Sequence, residues 1–206
     1  MTAQPDDHDQ EKYSRFKTVY DFNRQLARGE AAEKLLDELI YQETPWYPLA
    51  VTDLEVQRRG IDRILLDKST QDATDALVPG VTLGSFLKSA EYKADFTGAR
   101  THNCFVEMIS VREQNKLGWA YTSQADLLVH WLPQPTSLAY VIPFEELRRN
   151  LDTWRELYPS RNIPNGENNQ HRYTTTGLLV PQAEFEELAI RILDSSEIED
   201  RQEFRL

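Results

Sequence analysis

The chain has a single cysteine, Cys104, in 206 residues. That excludes an internal disulfide framework and any zinc site built on cysteine pairs. No apolar run approaches the length of a membrane span, so no membrane partner is expected. The opening Met1-Thr2-Ala3-Gln4-Pro5-Asp6-Asp7 lacks the basic-then-apolar order of a signal peptide, and a cytoplasmic location is the expectation. Positive charge is scarce: 23 Lys and Arg stand against 34 Asp and Glu, a net charge of −11. A protein that coats nucleic acid through a general basic surface is thereby excluded, although a locally basic site is not. Also missing are internal repeats, a glycine-rich phosphate loop, a catalytic serine elbow and the paired histidines of a zinc protease.

What is present is a composition typical of a soluble globular protein, with 10% aromatic residues, more than a disordered chain carries. The length suits one domain with a real core. Its expected extent is residues 12–195, between a disordered N-terminal tail, 1–11, and an acidic, solvated C-terminal tail, 196–206. Acid gathers at the two ends, whereas Arg58, Arg59, Arg63, Lys68, Lys88, Lys93 and Arg100 cluster in the middle of the chain.

Tyr13, Phe16 and Tyr20, followed by Phe22 and Leu26, predict an amphipathic helix that Gly29 breaks. A second helix is predicted from Glu30, with Ala32, Leu35, Leu36, Leu39 and Ile40 as its apolar stripe. Thr44 to Pro48 holds two prolines and predicts a turn. A strand entered through Gly60 should pack Ile61, Ile64, Leu65 and Leu66. Residues 68–80 read as a loop, and 81–94 as the longest extended segment. A turn-rich connection leads to a strand over 104–110, expected to pair antiparallel with its predecessor because the link is short. Further strands are predicted at 127–132 and 139–142. Pro143 opens a helix carrying Phe144, Leu147, Leu151, Trp154 and Leu157. Residues 159–176 are polar and read as a surface loop, before a short strand at 178–180 and a final helix over 181–193. Strands with intervening helices imply an α/β (α+β) layered domain.

Candidate chemistry lies in two fragments. In Glu91-Tyr92-Lys93, alternation of an extended strand puts Glu91 and Lys93 on one face. In Gly60-Ile61-Asp62-Arg63, Asp62 interrupts an apolar strand, which costs free energy unless the carboxylate is ion-paired or bound to a cation. Two carboxylates and an ammonium on adjacent strands can hold Mg²⁺, which takes one or two carboxylates and fills its other positions with water and phosphate.

Asp62 followed by Glu91-x-Lys93, each after an apolar approach, resembles the PD-(D/E)XK nuclease superfamily, with Ile61 where the name-giving proline would stand. The resemblance covers about Gly29 to Leu132. It implies a restriction-endonuclease-like core: a central mixed β-sheet flanked by helices. It also implies Mg²⁺-dependent phosphodiester hydrolysis, with Mn²⁺ as a substitute, on DNA, duplex rather than single-stranded. A homodimer is an option by analogy. The implied roles are Asp62 and Glu91 as metal ligands and Lys93 positioning the attacking water. Glu33, on the helix ahead of the strands, matches the glutamate that such a helix often contributes; its other reading is a surface carboxylate. Glu107 resembles an acidic residue on the strand after Glu-x-Lys in some small members, either a further metal ligand or an outward-facing side chain. Gly118-Trp119 and Ser123-Gln124-Ala125-Asp126 also fit the family's shape, with Trp119 as a packing anchor and Asp126 as a cap. The rival reading is a binding or assembly module that keeps the fold without catalysis, with Asp62 and Lys93 as a buried ion pair.

Overall fold

A computed structural model describes residues 22–68, 88–167 and 170–201 of the chain. The predicted helix around Tyr13 to Tyr20, the N-terminal tail and most of the 68–80 loop lie outside the described residues. The first element, α1 (Phe22–Glu43), runs straight through Gly29 instead of ending there. Nothing lies within 4 Å of the position a Cβ on Gly29 would take. One glycine costs a helix only about 0.5–1 kcal/mol, which the buried stripe Ala32, Leu35, Leu36, Leu39 and Ile40 outweighs.

Next come β1 (Trp46–Ala50), a single helical turn α2 (Leu54–Gln57), β2 (Arg63–Asp67) and β3 (Lys88–Ala94). Most of the predicted proline turn is therefore strand: Pro48 sits in β1 opposite Leu65. β1 is an outer strand of its sheet, where a missing N–H is tolerated. After one helical turn, α3 (Gly98–Thr101), the chain forms β4 (Asn103–Val111), β5 (Lys116–Leu117), the turn α4 (Trp119–Thr122), β6 (Leu127–Leu132) and β7 (Leu138–Pro143). The long helix α5 (Phe144–Leu157) leads to β8 (Ser160–Glu167), β9 (Gln170–Pro181), α6 (Gln182–Leu188), β10 (Arg191–Asp194) and α7 (Ser196–Arg201).

Two sheets result. The larger has the order β1-β2-β3-β6-β7-β10 and the smaller the order β5-β4-β9-β8. In the larger sheet β3 and β6 are parallel while the other neighbours are antiparallel, so the fold is mixed α/β around a mixed central sheet. The short link after β3 thus does not return the chain beside it: β4 pairs with β5 and β9 in the second sheet. β3 is flanked instead by β2 and β6, and the segment between β3 and β6 supplies the crossover that a parallel pair requires.

Strand alternation divides the core between the two faces of the larger sheet. Leu65, Ala90, Tyr92, Leu127, Val129, Trp131 and Val141 pack against α1 and Ile198 of α7. Leu128, Leu132, Tyr140 and Ile142 pack against Cys104, Val106 and Met108 of β4 and against α5 and α6. Three other predictions are corrected. The polar stretch 159–176 is largely the β8–β9 hairpin, whose Thr174, Thr175 and Thr176 suit a pleated, half-wet surface. Ile192 and Leu193 lie in β10 and not in a final helix. The segment assigned to an acidic tail begins as α7: its Ile198 and Glu199 are buried, Glu199 accepts from the Gln134 N–H and the Ser195 hydroxyl, and that hydroxyl accepts from Trp131 Nε1–H.

Asp95 closes the turn after β3. Its Oδ1 accepts from the Thr97 and Gly98 N–H groups at 3.1 and 2.6 Å, and its Oδ2 from the Phe105 N–H at 2.8 Å. Burial alone would raise its pKa; the neighbouring His130 and the Gly98 and Phe105 amides outweigh that and hold the carboxyl below its usual range. Asp95→Ala is expected to cost about 2–4 kcal/mol, because three backbone donors lose their acceptor. The sign with pH follows from the depressed pKa: the stabilisation is present above the unfolded aspartate pKa and is lost as pH falls through the lower folded value. Urea midpoints measured down an acid series should therefore converge for wild type and variant. Parallel curves would show that the carboxylate charge is not what holds the turn.

Candidate active site

The loop before β2 sets the site. Asp53 caps α2 through the Glu55 and Val56 N–H groups, and the chain then turns at Gly60 with φ of +70°. A Cβ on Gly60 would stand 2.7 Å from Glu91 Oε2 and 2.8 Å from the Ser123 hydroxyl. Glycine is thus required twice, for the left-handed backbone and for the space occupied by the Glu91 carboxylate. Gly60→Ala should destabilise the fold by about 1–3 kcal/mol and displace that carboxylate. Thermal melting checks the first effect, and a side chain tolerated without loss would show that the loop does not clamp Glu91.

Ser123 ties the far wall to this loop. Its hydroxyl donates to the Gly60 carbonyl at 3.0 Å, and the Gln124 N–H donates to the Arg59 carbonyl at 2.6 Å. Asp126 accepts from both the N–H and the hydroxyl of Ser89 at 2.8 Å, stitching the start of β3 to the start of β6. Trp119 stands edge-on to Phe144 with centroids 6.2 Å apart. The Ser-x-Ala-Asp and Gly-Trp segments thus hold walls together.

Asp62 lies just ahead of β2. Its N–H donates to the Ala90 carbonyl at 2.9 Å, and its Oδ2 accepts from the Tyr92 N–H at 2.8 Å. Pairing of β2 with β3 ends at Arg63 and Ala90, and the Tyr92 N–H holds the Asp62 carboxylate against the backbone of β3 next to Glu91. Glu91 is 3% exposed, and Lys93 Nζ donates to its Oε1 at 2.6 Å. Burial works against the Lys93 charge, but Glu91, Asp62 and Glu107 outweigh it and raise the pKa above the ordinary lysine value. Lys93 is therefore an ammonium at neutral pH. It can orient an oxygen ligand or offset negative charge, but it holds no free base.

Glu91 Oε2 is different: it is buried and has no hydrogen-bond partner among the described residues. A buried anionic oxygen without a donor is costly and points to a bound cation, a proton or a water. Glu91 also lines a cleft of about 210 Å³ between the two sheets, together with Glu107, Ser110 and Ser123. Glu107 sits at an irregularity in β4 beside Gly118, where a Cβ would meet its carbonyl oxygen at 2.3 Å. Burial raises the Glu107 pKa, opposed by Lys93, the Trp119 N–H and Ser110, with Glu91 adding to the rise.

Glu33 is placed elsewhere. Its Oε2 is 3.0 Å from Arg63 Nη2, and Asp37 holds Arg63 Nε at 2.7 Å. Arg63 pairs with Ala90 on the face covered by α1, opposite to Glu91 and Lys93. The structure therefore groups Asp62, Glu91, Lys93 and Glu107 and commits Glu33 to a helix–sheet ion pair.

Among the described residues no group of three or more His, Cys, Asp or Glu side chains is placed to hold a metal ion. A Mg²⁺ ion needs fewer, since water and substrate phosphate complete its shell. Glu91 Oε2 is the oxygen left open to such an ion, whereas Asp62, Glu91 and Glu107 do not converge as a three-carboxylate group.

The cleft also gathers Arg58, one of the basic residues clustered in mid-chain, with Lys116 and Leu117, which the motifs do not include. Only the positive φ at Gly60 and the bracketing of the cleft by two sheets bring them together, and no sequence spacing signals that. No helix among the described residues is long and apolar enough to cross a membrane. Comparison with known proteins finds no matching family model, no matching curated protein and no matching solved structure.

Proposed function

We propose that this chain is a Mg²⁺-dependent nuclease acting on DNA, with a restriction-endonuclease-like core and a site of the PD-(D/E)XK type. The observation that carries the reading is the buried, unpartnered Glu91 Oε2, on a residue that lines a cleft and whose other oxygen is held by Lys93. A helix, three strands in antiparallel succession and a later strand parallel to the third also agree with the order of elements implied by the resemblance.

In this reading Glu91 and Asp62 hold the ion, and Glu107 supports it directly or through water. When bound, Mg²⁺ lowers the pKa of a coordinated water and offsets charge on the phosphoryl oxygens. The chain does the rest. Lys93, kept as an ammonium by three carboxylates, orients the attacking water and stabilises the negative charge that develops on the phosphate as the P–O bond to the leaving group breaks. Gly60 leaves the space that the Glu91 carboxylate occupies, and Ser123 fixes that turn through the Gly60 carbonyl. Asp62 is fixed by the Tyr92 N–H, which sets its direction before any ligand arrives. Glu33 acts at a distance, by holding Arg63 and so the strand that carries Asp62.

The test is cleavage of labelled DNA in Mg²⁺ or Mn²⁺, run beside Asp62→Ala, Glu91→Gln and Lys93→Ala. Loss of cleavage in all three supports the proposal; equal rates retire it. A second reading, a binding module without catalysis, is favoured by the closed Glu91–Lys93 ion pair and by the Tyr92 N–H already bonded to Asp62. Melting temperature against Mg²⁺ separates the two, since an ion that binds only the native state raises it with occupancy.

A further inference from the structure

The cleft carries features that metal-assisted hydrolysis alone does not require. Glu91, at 3% exposure, lies below the surface, so a phosphate that reaches it must pass the rim. That rim holds two cations from different parts of the fold, Arg58 just after the helical turn α2 and Lys116 in β5, both exposed. Arg58 forms an ion pair with Glu55 that is open to water, so exchanging that partner for a phosphate costs little. Beside Lys116 one wall is apolar: Leu117 is 52% exposed, and the half-buried Trp119 continues it inward. Trp119 packs one face on the core through Phe144, while the Leu117 side chain has no such role and is left at the cleft.

A duplex fits this arrangement poorly. It is stiff over the length of any such site, whereas Glu91, at 3% exposure, lies below the surface that a stiff duplex would meet first. The net charge of −11 also denies the chain the broad basic footprint on which duplex binding depends. An unpaired strand can stack a base on an aromatic side chain, with apolar contact from a neighbouring leucine, while its phosphates face cations, and such contact tolerates any base.

We propose, resting on the nuclease reading, that the substrate is an unpaired DNA strand: one nucleotide enters the cleft, its base against Leu117 and Trp119 and its backbone bracketed by Arg58 and Lys116. Recognition is then independent of sequence and excludes paired DNA.

The experiment is fluorescence anisotropy with a labelled single-stranded oligonucleotide and the same sequence as a blunt duplex. It uses the full chain in Ca²⁺, so that binding is read apart from cleavage. Single strand should bind at least about tenfold more tightly than duplex. Lys116→Glu and Leu117→Ala alter exposed side chains and spare the core, and each should weaken single-strand binding by about five- to tenfold. Duplex binding as tight as single-strand binding would overturn the inference, as would variants indistinguishable from wild type. Failure of this idea and of the nuclease reading look different. Lys93-dependent cleavage of duplex at the rate of single strand removes only the former, while cleft-dependent binding of single strands without cleavage in Mg²⁺ removes only the latter.

Discussion

Lys93→Met is expected to lower Mg²⁺-dependent DNA cleavage by about 10²–10³-fold, the scale set by removing one preorganised charge from a transition state. The same substitution should carry a stability signature that a simple loss of activity would not. Lys93 Nζ is the donor 2.6 Å from Glu91 Oε1, and Glu91 is buried. Methionine keeps the length and apolar stem but leaves that carboxylate with neither oxygen neutralised. Breaking a fully buried pair costs about 3–5 kcal/mol. Lys93 keeps about a third of its side-chain surface in water, so a smaller loss, about 2 kcal/mol, is expected.

Mg²⁺ should then restore more stability to the variant than it adds to wild type, because the ion replaces the missing positive charge as well as binding. Melting curves with and without Mg²⁺, beside the cleavage assay, read both effects. A variant that is destabilised, inactive and deaf to Mg²⁺ would mean that Glu91 and Lys93 are only an ion pair. A variant that cleaves at the wild-type rate would remove Lys93 from the chemistry.

The second large effect concerns stability, at Arg63. This side chain is buried, and its guanidinium spans Asp37 and Glu33 of α1 at 2.7 and 3.0 Å. It lies 5.1 Å from the Tyr92 ring centroid and donates to the Asp62 carbonyl at 2.9 Å. One residue thus joins the long helix, the face of β3 and the backbone of the candidate metal ligand. Desolvation opposes its charge, but Asp37 and Glu33 outweigh that and raise its pKa further, so it is charged at any working pH. Arg63→Ala removes the cation, opens space beneath Tyr92 and frees two carboxylates on adjacent turns to repel each other.

A loss of about 3–5 kcal/mol is expected, which for a domain of this size lowers the melting temperature by roughly 10 °C. Glu33→Gln keeps the shape and one hydrogen bond, so it should cost about 1 kcal/mol or less. If Glu33 serves only to hold Arg63, its variant should also retain most of the cleavage. A fall as steep as that of Lys93→Met would return Glu33 to the reacting centre. A shift of under about 2 °C for Arg63→Ala would show that the carboxylates find water readily and that packing alone fastens α1.

The elements that were legible are those whose periodicity meets one large apolar surface. The stripe Ala32, Leu35, Leu36, Leu39 and Ile40 is buried as a set, and so are Phe144, Leu147, Leu151 and Trp154, whereas Leu157 beyond them is exposed. The strands Leu127–Leu132 and Leu138–Pro143 follow from apolar runs, broken in the first by His130, that are covered on both faces. Misread segments are those in which local propensity was weak and a distant partner decided. Pro48 is strand because it lies on an edge strand paired to β2. The polar stretch after Pro159 is strand because β9 is held along β4. Ile192 and Leu193 are strand because β7 offers them an open edge.

The one-face placement of Glu91 and Lys93 was contained in the order of residues, since alternation along an extended strand is a property of the backbone itself. Asp62 could be nominated as a carboxylate beside an apolar run, but the structure places it just ahead of β2, where the Tyr92 N–H of β3 sets its carboxylate near Glu91. Long-range contacts alone decided that Glu33 turns to Arg63, that Glu107 from a second sheet closes on Glu91, and that Arg58 and Lys116 share one rim. The reason is physical: periodicity reports which side of an element is apolar, while the neighbour a side chain meets depends on which sheet the chain joins next. After β3 the chain leaves for a second sheet, and the cleft exists because of that departure.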